Sequence, residues 1–232
     1  MNYKNSELVI TIDGPAGAGK STVAKIIAQK LGYSYINTGD LYRYVTFCAL
    51  KENLDVKKAE VMDSLSRNIV NQLTKKHQHK QNLALFFEQN NVITEKIHSP
   101  EIDKNVSFVA RHESVRRNLI PLQRLLAENR PIVMEGRDIG TVILPNADLK
   151  FFLMADEKTR TTRRYKELLK KGYHVTLKEV KSEIIKRDNL DSKREFSPLT
   201  VPKDAIIVDT SDKNINAVIE IVLRVIRGRE NM

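Results

Sequence analysis

The sequence has no tryptophan and a single cysteine, Cys48. One cysteine cannot close an internal disulfide, so the chain suits a reducing compartment. Its five histidines, His77 and His79 among them, do not group with cysteines or carboxylates at metal-ligand spacing, which argues against a zinc site. No stretch approaches the roughly 18 apolar residues that a membrane span needs. After the polar start Met1–Glu7 comes only a short apolar run, Leu8–Ile12, whereas a secretory signal needs a longer apolar stretch before a small-residue cleavage site. The expected location is the cytoplasm, with no membrane partner.

What is present is a 232-residue chain, 41% hydrophobic and 29% charged. That composition excludes a mainly disordered protein. A chain of this length buries about 70% of its unfolded surface without a covalent staple. The net charge of +10 fits a solvated surface or an attraction for anions such as nucleotides or nucleic acid. A nucleic-acid module would pair a basic stripe with interleaved aromatics. Here aromatics are 6%, and acids such as Glu179, Glu183 and Asp188 interrupt the basic stretch.

Strand and helix patterns alternate, which predicts an α/β fold with a mainly parallel sheet flanked by helices. Leu8–Ile12, Ser34–Ile36, Ile132–Met134, Lys150–Met154 and Ala205–Val208 read as five strands. Ser21–Leu31 carries apolar residues at Val23, Ile26, Ile27 and Leu31, a helical spacing, and Gly32 follows as a C-terminal cap. Ile215–Ile226 reads as an amphipathic closing helix. Two segments break the rhythm. Residues 38–105 contain Leu83–Phe87 and Val92–Ile97 around Asn90-Asn91, which predicts an antiparallel hairpin in an inserted subdomain. Residues 156–199 are dense in Arg and Lys and suggest a basic helical lid. The core is then assigned to residues 1–37, 106–155 and 200–232.

Gly14-Pro15-Ala16-Gly17-Ala18-Gly19-Lys20-Ser21 matches G-x-x-x-x-G-K-S/T in full, between a predicted strand and a predicted helix. Glycines let backbone N–H groups turn toward phosphate oxygens, and the helix points its positive end at the same charge. In such a loop Lys20 reaches the β- and γ-phosphates, the Ser21 hydroxyl ligates Mg2+, and Thr22 closes the far side. ATP with Mg2+ is thus the expected cofactor pair. Glu135, at the end of an apolar strand, and Asp13, just before the loop, are candidate carboxylates for assisting the metal. Phosphoryl transfer asks for positive charge rather than a nucleophile, so arginines are expected to carry catalysis.

Three further segments resemble one family. Asn37-Thr38-Gly39-Asp40-Leu41-Tyr42-Arg43 is similar to the D-S/T-G-x-x-Y-R signature of bacterial cytidylate kinases. Gly136-Arg137-Asp138-Ile139-Gly140-Thr141 resembles their G-R-D-x-G-T segment, and Arg187–Arg194 their R-D-x-x-D-x-x-R segment. The resemblance implies a core of about five parallel strands, a monophosphate-binding insertion and a lid. It also implies transfer of a phosphoryl group from ATP to CMP or dCMP by a monomer that takes no nucleic acid. By the same resemblance Thr38 and Arg43 meet the substrate phosphate. Ser107, Arg116 and Asp138 read cytosine, Arg187 and Asp191 reach sugar and phosphate, and Arg194 helps with phosphate charge. Lys20, Arg187 and Asp138 are the implied catalytic residues. Arg160, Arg163 and Arg164 are secondary candidates for contacts to ATP.

Simpler roles stay open for several of these residues. Thr38 could cap the next helix, Ser107 could cap the helix after it, and Asp138 could pair with Arg137. Arg187 and Asp191, four apart, could form a helix-surface ion pair. The sequence departs from the signature at Asn37, which replaces an acid, and at Asp40, which replaces a small residue. Another small P-loop kinase, acting on adenylate or shikimate, is the competing enzyme reading, and a nucleic-acid-binding module the competing non-enzyme one.

Overall fold

The computed structural model describes residues 7–78, 91–128 and 131–230. These fall into two compact units, one built from residues of 1–35 and 129–232 and the other from 36–128.

The first unit centres on a sheet of five strands in the order β2-β3-β1-β4-β5. They are β1 (Val9–Asp13), β2 (Ser34–Asn37), β3 (Ile132–Glu135), β4 (Leu149–Met154) and β5 (Ile206–Asp209). β1 pairs in parallel with β3 and with β4, and β4 pairs in parallel with β5. Parallel strands need crossovers with both faces covered. The cover includes α1 (Lys20–Leu31) and the C-terminal α9 (Ile215–Glu230). Ile10, Ile12, Phe151 and Leu153 from the strands meet Val23, Ile27 and Leu31 of α1 and Val218, Val222 and Ile226 of α9 in one core. The apolar stripe expected on the first helix is therefore its buried face, with Ile26 half-buried at its margin. Gly32 ends α1 at φ 71°, and its N–H caps Ala28 and Gln29 carbonyls.

Two more helices belong to this unit, α7 (Glu157–Lys170) and α8 (Leu177–Ser192). Asp156 caps α7 through the Thr159 N–H, and Thr176 with Glu179 forms a reciprocal capping box on α8. Leu168, Val180 and Ile184 make a small core between them. The basic segment is thus a packed helix pair.

The second unit, among its described residues, is helical: α2 (Thr38–Lys51), α3 (Ala59–Gln78), α4 (Asn91–Ile97), α5 (Pro100–Arg111) and α6 (Glu113–Ala127). Leu41, Val45, Met62, Ile97, Val106, Val109, Leu119 and Leu122 are buried in it. The Asn118 amide on α6 donates to Asp63 Oδ1 at 2.9 Å and to Ser66 Oγ at 3.0 Å on α3.

The hairpin expectation is corrected here. Its second arm, Val92–Ile97, lies within helix α4, while its first arm, Leu83–Phe87, lies outside the described residues. Val92, Ile93 and Thr94 favour strands locally, but burial of Ile97 to zero exposure against this helical unit outweighs that preference.

Candidate active site

In the first unit the loop between β1 and α1 is shaped by close backbone approach. Gly14 has φ 146°, and a Cβ there would lie 2.0 Å from the Leu153 carbonyl oxygen. Gly17 has φ 76°, and its Cβ would meet Arg160 at 3.0 Å. Only glycine serves at such positions. Lys20, the first residue of α1, is buried, and its Nζ donates to the Pro15 carbonyl at 2.9 Å. Burial pushes its ammonium down to about 7, with the Arg137 and Arg187 charges adding to the fall and Glu135 and Asp13 opposing it. Lys20 therefore feels the charges of two arginines and two carboxylates.

The Ser21 hydroxyl is exposed and donates to Glu135 Oε1 at 2.6 Å. Glu135 ends β3, is 2% exposed, and also accepts from the Tyr35 hydroxyl at 3.4 Å. A solvent-facing strand end is thereby excluded for it. Two hard oxygen donors on adjacent elements fit Mg2+, which takes one or two protein oxygens and completes its shell with phosphates and water. Among the described residues no group of three or more His, Cys, Asp or Glu could hold a metal ion.

Asp13 is held by backbone donors. Its carboxylate accepts from the Ile139 N–H at 2.9 Å and the Gly140 N–H at 2.7 Å. Burial pushes its carboxyl up to about 6, against those two backbone donors, which lower it. Both bonds pin the π-turn Ile139–Ile143, and so fix the Gly136–Thr141 segment beside the loop.

Four of the implied residues come together around α8. Asp191 is buried and accepts from Arg137 Nε at 3.0 Å and from Arg194 Nη1 at 3.4 Å, with Arg187 Nε 4.0 Å away. Burial raises the Asp191 carboxyl, but the Arg137, Arg187 and Arg194 charges outweigh it and leave it below its ordinary value. Arg194 also donates to the Ser197 carbonyl, and its Nη2 lies 3.8 Å from Asp138 Oδ1. The open pairing of Asp138 with Arg137 is thus replaced: Arg137 goes to Asp191. The surface ion pair considered for Arg187 and Asp191 is part of a four-residue cluster in which Asp191 and Arg194 are buried and Arg137 and Arg187 are half-buried.

Arg137, expected only as a partner for Asp138, joins this cluster instead. Arg160 and Arg163 are secondary candidates from sequence. Arg160 is buried, and it donates to the Ala155 and Ala16 carbonyls at 3.0 and 3.1 Å and to Asp188 at 2.5 Å. It clamps the phosphate loop from behind. Arg163 donates to Thr210 Oγ1 at 2.9 Å, and Thr210 in turn donates to the Ala18 carbonyl at 3.2 Å. Arg164 pairs with Glu167 on its own helix.

The second unit carries Thr38, Arg43, Ser107 and Arg116, all buried. Asn37 is the N-cap of α2, its side chain accepting from the Gly39 N–H, so Thr38 is not the cap. Ser107 lies inside α5, which removes the capping role considered for it. Arg43 donates to the Ile97 carbonyl at 3.0 Å and to Asp103 at 2.5 Å. The Arg116 guanidinium lies 5.1 Å from the Tyr42 ring centroid, a cation–π distance, and donates to the Ala110 carbonyl at 3.3 Å. Asp103 lies outside every sequence motif and Tyr42 stands in one without an assigned role; only the fold brings them to these arginines.

A family model described as cytidylate kinase matches residues 10–228. A cytidylate kinase of Alkaliphilus metalliredigens (strain QYMF) is 44% identical over 221 residues, covering 95% of this chain and 97% of that protein. One from Clostridioides difficile (strain 630) is 43% identical over 222 residues, covering 93% and 96%. Among solved structures, a gluconokinase from Sinorhizobium meliloti 1021 shares the fold at TM-score 0.51 and 14% identity, covering 98% of this chain and 97% of that one.

Proposed function

The chain belongs to the cytidylate kinase family, and from that membership we propose that it transfers the γ-phosphoryl group of ATP to CMP and dCMP. The observation that carries this reading is the charge setting of Lys20. A buried cation on a complete phosphate loop feels the charges of Arg137 and Arg187, and the next residue carries the Ser21–Glu135 pair. Such an arrangement supplies positive charge where a transferring phosphoryl group spreads its negative charge.

A phosphate oxygen of CMP attacks the γ-phosphorus in line. The bond to the bridging oxygen of ADP breaks, and CDP and ADP result. Backbone N–H groups along the Gly14–Gly19 loop, Pro15 having none to give, hold the donor phosphates, Lys20 follows the β- and γ-oxygens, and Thr22 closes the loop. Ser21 and Glu135 would hold Mg2+, which neutralises phosphate charge when bound. In the second unit Thr38 and Arg43 take the substrate phosphate, a task suited to the planar guanidinium fork. Ser107 and Arg116 address the base there. In the first unit Asp138 accepts from the exocyclic amino group of cytosine, Arg187 and Asp191 serve the sugar and phosphate, and Arg194 adds charge. Asp138 is the natural discriminator, because a buried acceptor left unmatched by the wrong base costs about 1–3 kcal/mol.

We place the protein in the cytoplasm as a monomer acting on small molecules alone. No helix among the described residues is long and apolar enough to cross a membrane. The test is ADP release with ATP, Mg2+ and each nucleoside monophosphate in turn. Turnover with CMP and dCMP, abolished by Lys20→Ala and reduced about 10³-fold by Arg187→Ala, supports the reading. Turnover with AMP or GMP but not CMP overturns the base assignment.

A further inference from the structure

The two positions at which the α2 signature departs from its family pattern are joined in space. Asn37 caps α2 by accepting from the Gly39 N–H at 3.0 Å, and its own amide donates to Asp40 Oδ1 at 3.0 Å. The same oxygen lies 3.1 Å from His98 Nε2. Asp40 sits in the first turn of α2 with its side chain 14% exposed, and the His98 side chain is 30% exposed. A Cβ on Gly39 would come within 3.0 Å of Asn37 Oδ1, so Gly39 keeps room for this cap.

His98 follows Ile97, whose carbonyl takes Arg43 Nη1 at 3.0 Å. One dipeptide thus braces two α2 residues a turn apart, Asp40 through an imidazole and Arg43 through a backbone oxygen. From α5, Asp103 holds the other arm of the same arginine. Glu95 and Lys96 are the charged neighbours of His98 on its own segment.

An aspartate in the first turn of a helix occupies ground that otherwise favours an external anion. Beside Thr38, and one turn from Arg43, its carboxylate opposes a substrate phosphate. We propose that His98 is a positioning residue for the monophosphate subsite, holding the Asp40 carboxylate aside through its imidazole so that Thr38 and Arg43 accept the CMP phosphate. The inference rests on the reading that those two residues take that phosphate. Asn37 has the same task from the other side, since a second acid in its place would face Asp40 and repel it.

The test is a double-mutant cycle in the full chain, reading KM for CMP, KM for ATP and the CMP dissociation constant by calorimetry. His98→Ala leaves the Asp40 charge without its imidazole and is expected to weaken CMP about ten-fold while KM for ATP holds within about two-fold. Asp40→Ala is expected to bind CMP as well as the unaltered chain, or tighter. The pair His98→Ala with Asp40→Ala is expected to regain CMP affinity, because the carboxylate that His98 held aside is gone. A purely structural His98 gives a double variant as weak as His98→Ala or weaker, and that result overturns the proposal. So does an unchanged KM for CMP in His98→Ala. If the unaltered chain neither binds nor turns over CMP, the substrate reading itself fails and takes this inference with it.

Discussion

The Ser21 hydroxyl donates to Glu135 at 2.6 Å, joining the first turn of α1 to the end of β3. The bond fixes the Glu135 carboxylate against the hydroxyl proposed to ligate Mg2+. Glu135→Gln keeps the volume and an acceptor for Ser21 but loses the charge. The half-saturating Mg2+ concentration for ADP release is expected to rise about ten-fold or more, as for other partners that orient or assist a metal. A Mg2+ titration at saturating ATP and CMP checks this.

The buried carboxylate of Asp191 draws the guanidiniums of Arg137, Arg187 and Arg194 together. Asp191→Asn preserves the shape and leaves cations underpaired. Breaking a buried ion pair by removing one partner costs about 3–5 kcal/mol, so a fall of that order is expected in urea unfolding, together with a raised KM for CMP. Asp191 is held below its ordinary carboxyl value. Its contribution is therefore fully present above the unfolded value of about 4 and is lost only as pH falls through the lower folded value. The difference between the two proteins in urea midpoint is expected to be flat from pH 6 to 8 and to shrink only in acid.

Lys20 is pushed down from 10.5 to about 7 by burial and by Arg137. Between those two values the unfolded chain binds more protons than the folded one, so Lys20 makes stability rise with pH across that window. Phosphate oxygens beside Nζ reverse the shift. ATP binding at about pH 8 is therefore expected to take up most of one proton, and little below about pH 6. Calorimetry in buffers of different ionisation enthalpy measures the uptake, and Lys20→Met is expected to abolish it.

Gly14→Ala puts a methyl 2.0 Å from the Leu153 carbonyl at a backbone angle of φ 146°. The loop cannot yield without moving β4. A loss of about 3 kcal/mol or more is expected. Gly172, at φ 81° with nothing within 4 Å of a Cβ, isolates the backbone term, and Gly172→Ala is expected to cost about 1–2 kcal/mol. Thermal unfolding of the two variants separates clash from conformation.

Much of the first unit is legible locally. Gly14–Ser21 announces itself because backbone approach to phosphate demands glycine, and each of the five strands appears within a residue or so of its predicted place. The apolar face of α1 follows from spacing alone. The α4 segment shows the opposite case: Val92, Ile93 and Thr94 suit a strand, yet a buried Ile97 makes the segment helical. The partners of the arginines were also out of reach. Arg137 meets Asp191 across 54 residues and Arg43 meets Asp103 across 60, and no short-range pattern encodes such pairs. The Asn37–Asp40 contact spans one helical turn and could have been read, since an Asn cap with an acid at the third helical position is a capping pattern.

Substrate choice is tested most directly by competition. Equimolar CMP, dCMP, AMP, GMP and UMP are mixed with limiting ATP, Mg2+ and the purified chain, and the diphosphates formed are separated and quantified. CDP and dCDP are expected to account for nearly all of the product, and Asp138→Ala is expected to lower their share. ADP formed from AMP, or GDP, in excess of the cytidine products would contradict a cytosine-reading kinase and leave only a phosphate-loop kinase of another specificity.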